Sequence, residues 1–148
     1  IQMGATGLYA TAGVSEAEQQ LAQQVMSAAG LVLWVDDEDL LHAVTAISGS
    51  APAYFFYMLE NMIATGEKLG LTQTQATALA MQTALGSAQM ALTSHDTPAE
   101  LRRKVTSPNG TTQAAIEVMD AKKMHQIIAD AMLACEQRSR ELSQAFGK

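Results

Sequence analysis

The chain has 148 residues, 48% hydrophobic and 16% charged, which is enough apolar material for one packed domain, or for one domain with part of another. A formal net charge of −6 leaves no basic footprint for nucleic acid and no polybasic patch for a membrane surface, and no apolar run approaches the roughly 20 residues that a membrane span needs. The single cysteine excludes an intrachain disulfide and, with no signal-peptide pattern in view, points to a reducing, cytoplasmic setting.

Position 1 is not methionine, and the chain reads as starting in mid-protein. Ala5–Ala10 is a weak strand candidate. Ser15 and Glu18 form a capping box, Leu21, Val25 and Ala28 follow at helical spacing, and Gly30 stops the helix. Leu31–Val35 is a continuous apolar run of strand length. This strand–helix–strand unit is too small to stand alone. Its strands are expected to fray, to pack on the helices, or, as the favoured outcome, to pair with another chain.

From Asp36 the texture is helical. The acids Asp36, Asp37, Glu38 and Asp39 suit a helix N-terminus better than a metal. Leu40–Ile47 is a short helix that Ser48, Gly49, Ser50 and Pro52 should interrupt. The next helix runs from about Ala51 to Leu69 and stops at Gly70. Its first half is apolar nearly all round, through Tyr54, Phe55, Phe56, Tyr57, Met58, Leu59, Met62 and Ile63. Such a helix is buried on every side, and one short chain can hardly surround it, so a second chain is expected. Thr72 with Gln75 caps a helix over about 73–93, rich in alanine. After it come a capped helix from Thr97, a loop, a helix over about 112–120 and a last helix over about 122–146. Cys135 falls in the apolar stripe of that last helix and reads as core, while Arg138, Arg140 and Glu141 should face water. His42, His95 and His125 match no zinc spacing, so no metal site is assigned. No glycine-rich dinucleotide turn and no P-loop is present.

The stretch Thr97–Thr112 looks built to hold a ligand. Pro108 disfavours helix at Ser107, Asn109 and Gly110 tolerate positive φ in a tight turn, and Thr111 and Thr112 open the next helix. A glycine-containing turn feeding a helix start leaves backbone N–H groups without intrahelical partners, where a small carboxylate or phosphate can sit. The hydroxyls of Ser107, Thr111 and Thr112 could add donors. An ordinary corner between two helices, capped by hydroxyls, remains open on spacing alone.

Pro98–Asp120, with its PAEL, VTSPNGTT and AIEVMD runs, closely resembles the signature of pyrroline-5-carboxylate reductases. AVTAISGSAPAYFF (Ala43–Phe56), KLGL (Lys68–Leu71) and RSREL (Arg138–Leu142) resemble further blocks of that family, in the same order. Asn109 stands where the family often has glycine, and Ala51 where it usually has a second glycine. The resemblance implies a mainly α fold: an all-α dimerisation and substrate-loop domain over 36–148, of the 6-phosphogluconate-dehydrogenase C-terminal-like type. Residues 1–35 would be a βαβ remnant of a nucleotide-binding Rossmann domain. It implies reduction of 1-pyrroline-5-carboxylate to L-proline, with NADPH or NADH held mainly by a missing N-terminal domain and no cofactor-binding residue in this segment. It implies a homodimer or larger self-assembly, and a segment inactive alone. By the same resemblance Ser107, Gly110, Thr111 and Thr112 bind the substrate, and Thr112 faces the ring nitrogen as the catalytic residue. A reading from another class, a non-catalytic helical dimerisation or anion-binding module, stays beside it.

Overall fold

The computed structural model describes residues 1–147. It is mainly helical, with a two-stranded parallel sheet at its start. Strand β1 (Gly4–Leu8) pairs with β2 (Gly30–Trp34), Gly4 opposite Gly30 and Leu8 opposite Trp34. Helix α1 (Glu16–Ser27) makes the crossover, started by the Ser15/Glu18 capping box. Six further α-helices follow: α2 (Leu40–Val44), α3 (Ala51–Lys68), α4 (Gln73–Thr93), α5 (Pro98–Lys104), α6 (Thr111–Ala121) and α7 (Met124–Phe146).

The chain divides into two compact units. Ile1–Ala53 together with the chain from Ile128 onward make one, and Tyr54–Ile127 the other. In the first, the sheet packs on a helix of its own chain. A Cβ placed on Gly7 of β1 would lie 2.7 Å from a Val44 methyl, so the strand backbone rests directly on α2. Trp34 closes the other side by donating its indole N–H to Gln23 of α1, at 2.8 Å. An open apolar groove of about 400 Å³ is lined by Val35, Leu40, Val44, Ile47, Met132 and Leu133.

The new helix starts at Ala51 as expected, but a π-helical turn and a bend at Ser50, not a loop, lead into it. The chain continues from α2 through a π-helical turn, Thr45–Gly49, into α3. Pro52 has no N–H to give, and the Ser50 N–H reaches back five residues to the Thr45 carbonyl at 2.9 Å. Thr45 and Ser48 donate their hydroxyls to the carbonyls of Leu41 and Val44, each at 2.9 Å, and so help to absorb the distortion. Gly70, with φ +101°, ends α3 as expected. The Leu71 N–H returns to the Gly66 carbonyl at 3.1 Å in the manner of a left-handed helix stop.

Burial is sparse. Among the described residues the buried apolar side chains are Ala46, Ala51, Ala76 and Ala80. The accessible surface is 11432 Å², whereas a folded monomer of 15.7 kDa exposes roughly 7,300 Å². Phe55, Phe56 and Tyr57 of α3 are 62%, 65% and 69% exposed. Among the described residues these three aromatics of α3 have little cover, whereas Tyr54 beside them is half-buried.

The contact between Gly7 and Val44 gives a direct test. Gly7→Ala should destabilise the chain by about 1–3 kcal/mol, because the added methyl meets Val44 below van der Waals distance. In denaturant unfolding, Val44→Ala should relieve part of that loss in the double variant. An unchanged midpoint for Gly7→Ala would show that the sheet does not rest on α2.

Candidate functional site

The stretch Thr97–Thr112 lies within the second unit, and local polar bonds hold it from both sides. Helix α5 starts at the Thr97/Glu100 capping box. The Glu100 carboxylate accepts from the Thr97 hydroxyl at 2.7 Å and from its backbone N–H at 2.8 Å. Those two bonds, the hydroxyl's foremost, hold the Glu100 carboxyl below the usual carboxylate range. Before the helix, Lys104 donates to Asp96 at 2.5 Å, and Asp96 is held below its ordinary pKa chiefly by that bond. After it, the Thr106 hydroxyl donates to the Arg102 carbonyl at 2.6 Å and closes the end of α5.

The turn follows at once. The Gly110 N–H donates to the Ser107 carbonyl at 3.0 Å, which makes 107–110 a tight turn. Asn109 takes the left-handed conformation, φ +59°. Gly110 does not: its φ of −86° and ψ of 171° are extended. Both were expected to tolerate positive φ, and Asn109 alone uses it. Glycine suits position 110 for another reason, since a Cβ there would crowd the Ser107 carbonyl oxygen at 3.0 Å.

Gly110 is also the N-cap of α6, and it offers no side-chain cap. The first intrahelical bond at this end runs from the Ala114 N–H to the Gly110 carbonyl at 3.2 Å. The N–H groups of Thr111, Thr112 and Gln113 precede it, so helix geometry gives them no intrahelical acceptor. Ser107, Thr111 and Thr112 are exposed around them. The four residues singled out from the sequence thus share one turn and one helix start, within six positions of each other.

Gln113 was not singled out from the sequence. Its side chain accepts from the Asn109 N–H at 2.7 Å and donates to Glu117 at 2.7 Å, so it ties the turn to the first two turns of α6. The available signal was the pair Gln113 and Glu117, four apart on one helix.

This arrangement suits a small anion. Three N–H groups at the positive end of an 11-residue helix, flanked by hydroxyls, match the acceptor pattern of a carboxylate. The other helix start of comparable kind, that of α1, does not suit a dinucleotide. Ser15 and Glu18 already occupy its cap, and Glu16 adds a second negative charge in the first turn where a pyrophosphate would lie. The start of α1 therefore offers no cradle for a pyrophosphate.

Asn109 supplies a prediction. Asn109→Gly should leave stability within about 0.5 kcal/mol or raise it, because glycine adopts φ +59° freely. Asn109→Val should cost on the order of 1–3 kcal/mol, since a β-branched residue is strained there. Equal thermal midpoints for the two variants would mean that the turn is not held as described.

A family model described as pyrroline-5-carboxylate reductase dimerisation matches residues 38–142. The pyrroline-5-carboxylate reductase of Pseudomonas aeruginosa is 53% identical over 148 residues, covering 100% of this chain and 54% of its own length. That of Haemophilus influenzae is 43% identical over 144 residues, 97% of this chain and 53% of its own. The chain spans about half the length of these curated relatives. The solved pyrroline-5-carboxylate reductase of Coxiella burnetii superposes with a TM-score of 0.91 at 42% identity, over 95% of this chain and 52% of its own. The fold is shared as well with the pyrroline carboxylate reductase of Plasmodium falciparum, solved with NADP bound. There the TM-score is 0.88 at 24% identity, over 95% of this chain and 53% of that one.

Proposed function

The chain belongs to the pyrroline-5-carboxylate reductase dimerisation family, and on that premise we propose that it is the helical part of a reductase that converts 1-pyrroline-5-carboxylate to L-proline. The observation that carries the proposal is the uncapped start of α6, with its three N–H donors and the hydroxyls of Ser107, Thr111 and Thr112. The ring carboxylate accepts from the N–H groups of Thr111 and Thr112 and from the Ser107 hydroxyl, and the helix dipole favours its charge. Gly110, having no side chain, leaves the approach open. With the carboxylate so held, the Thr112 hydroxyl is the donor placed to hydrogen-bond the ring nitrogen. NADPH or NADH supplies the hydride for the C=N carbon, and the nitrogen takes a proton. The dinucleotide belongs to a domain outside this chain, in keeping with the acidic, self-capped start of α1.

In the full-length reductase, Thr112→Ala should lower turnover without unfolding the protein. A hydrogen bond to a group that gains charge is worth on the order of 1.5–3 kcal/mol. That corresponds to roughly tenfold to a hundredfold in rate. Unchanged steady-state kinetics would remove Thr112 from the mechanism.

The exposed aromatic half of α3 supports the second part of the proposal, that the chain pairs with a copy of itself as an obligate homodimer. The surface in excess of a compact monomer is roughly 4,000 Å². That is more than one partner's share of most obligate interfaces. Sedimentation velocity at low micromolar concentration should show a dimer or larger assembly. A folded monomer under those conditions would contradict the assignment.

A further inference from the structure

The sheet reaches the helices through a short connection, residues 35–39, which belongs to no regular element. A connection of this kind is a hinge unless something spans it. Here β1 rests on α2 at Gly7 and Val44, and a polar strip on α7 holds α2 in turn. Arg140 donates from Nη1 to Asp39, the last residue of the connection, at 2.8 Å, and from Nε to Glu136 one turn back on α7. Ser139 and the His42 ring nitrogen Nδ1 lie 2.8 Å apart in a hydrogen bond. Cys135 donates its thiol to the Ser50 hydroxyl at 3.2 Å. Residues 39, 42 and 50 thus meet 140, 139 and 135, in opposite chain order. An open apolar groove lies beside this contact.

Arg140 differs here from its neighbour in the RSREL run. Arg138 pairs with Glu141 on its own helix at 2.9 Å, and its ion pair among the described residues is local. Arg140 was expected to face water as well. Instead its side chain is 37% exposed and bridges two carboxylates, the geometry in which a surface ion pair has measurable strength. The Asp39 carboxyl is held below its usual range, first by the hydrogen bond from Arg140.

We propose that Arg140, with Ser139, is a positioning residue that holds α2, on which the sheet rests, against the second half of α7, so that α7 steadies the sheet through α2. The consequence for turnover rests on the reductase reading above; the lock itself does not. In the full-length protein, hydrogen exchange at the amides of β1, β2 and α2 should rise several-fold in Arg140→Gln and in Asp39→Asn. The double variant should exchange no faster than either single one. Arg138→Gln should leave these amides unchanged. In turnover assays Arg140→Gln should lower kcat several-fold at an unchanged KM for 1-pyrroline-5-carboxylate, with Arg140→Lys intermediate, because a lysine can satisfy one carboxylate at a time. If Arg140→Gln does not fold, Asp39→Asn carries the same test. Exchange that is unmoved by both variants, or moved equally by Arg138→Gln, overturns the lock. If the unaltered full-length protein does not reduce 1-pyrroline-5-carboxylate, the functional reading fails while the exchange result still decides the lock.

Discussion

Among the described residues no large apolar side chain is fully buried, and much of the rest of the structure follows from that constraint. The side chains it buries among the described residues are alanines. They mark where its own elements approach most closely. A Cβ on Gly66 of α3, for instance, would lie 3.0 Å from the Ala76 Cβ of α4. Leucines, methionines and phenylalanines on α3, α4 and α7 stay open to solvent. Each such side chain is worth about 1.5–3 kcal/mol when buried. Total stabilities are about 5–15 kcal/mol, so a handful of them decides whether the fold exists at all. The helices carry apolar surface of the kind that the proposed second copy would cover.

That constraint explains how the loop 105–110 is built. A segment without a packed core beneath it must be held by bonds it makes itself. The capping box of Thr97 and Glu100, the Lys104–Asp96 pair, the Thr106 hydroxyl and the Gln113 side chain each close over eight residues or fewer. Exposed ion pairs and caps are individually weak. Together they fix one turn, whose Asn109 and Gly110 N–H groups are bonded within it, and set it at the start of α6, where the next three N–H groups have no intrahelical acceptor.

Range also separates what was legible in the sequence from what was not. The three capping boxes, at Ser15, Thr72 and Thr97, are each written in four consecutive residues, and all three form. The strands and helices fall within a few residues of where periodicity puts them. The turn at 107–110 was legible because proline, asparagine and glycine have few other uses in that order. The π-helical turn was not, because serine, glycine and proline also signal a plain break, and the choice depends on hydroxyls that bond back into the helix. Nor was the role of Arg140, whose partner Asp39 lies 101 residues away and is one of four adjacent acids. Helical spacing put Cys135 on the apolar face of α7, yet its thiol is half-buried and bonded to Ser50, a contact that no local pattern announces.

The two departures from the family pattern have different physical grounds. At position 109 the backbone sits at φ +59°, a conformation that few residues other than glycine adopt at small cost. Asparagine is foremost among those few, because its short polar side chain tolerates the left-handed region. Asn109 therefore keeps the turn that glycine would make and restricts the unfolded chain more than glycine does. At position 51 no positive φ is required. Ala51 opens α3 inside the Ser50–Pro52 junction and is among the buried residues, so its methyl fills space that glycine would leave to a neighbour. One substitution preserves a dihedral angle and the other fills a volume. Neither removes an N–H group or a hydroxyl at the start of α6.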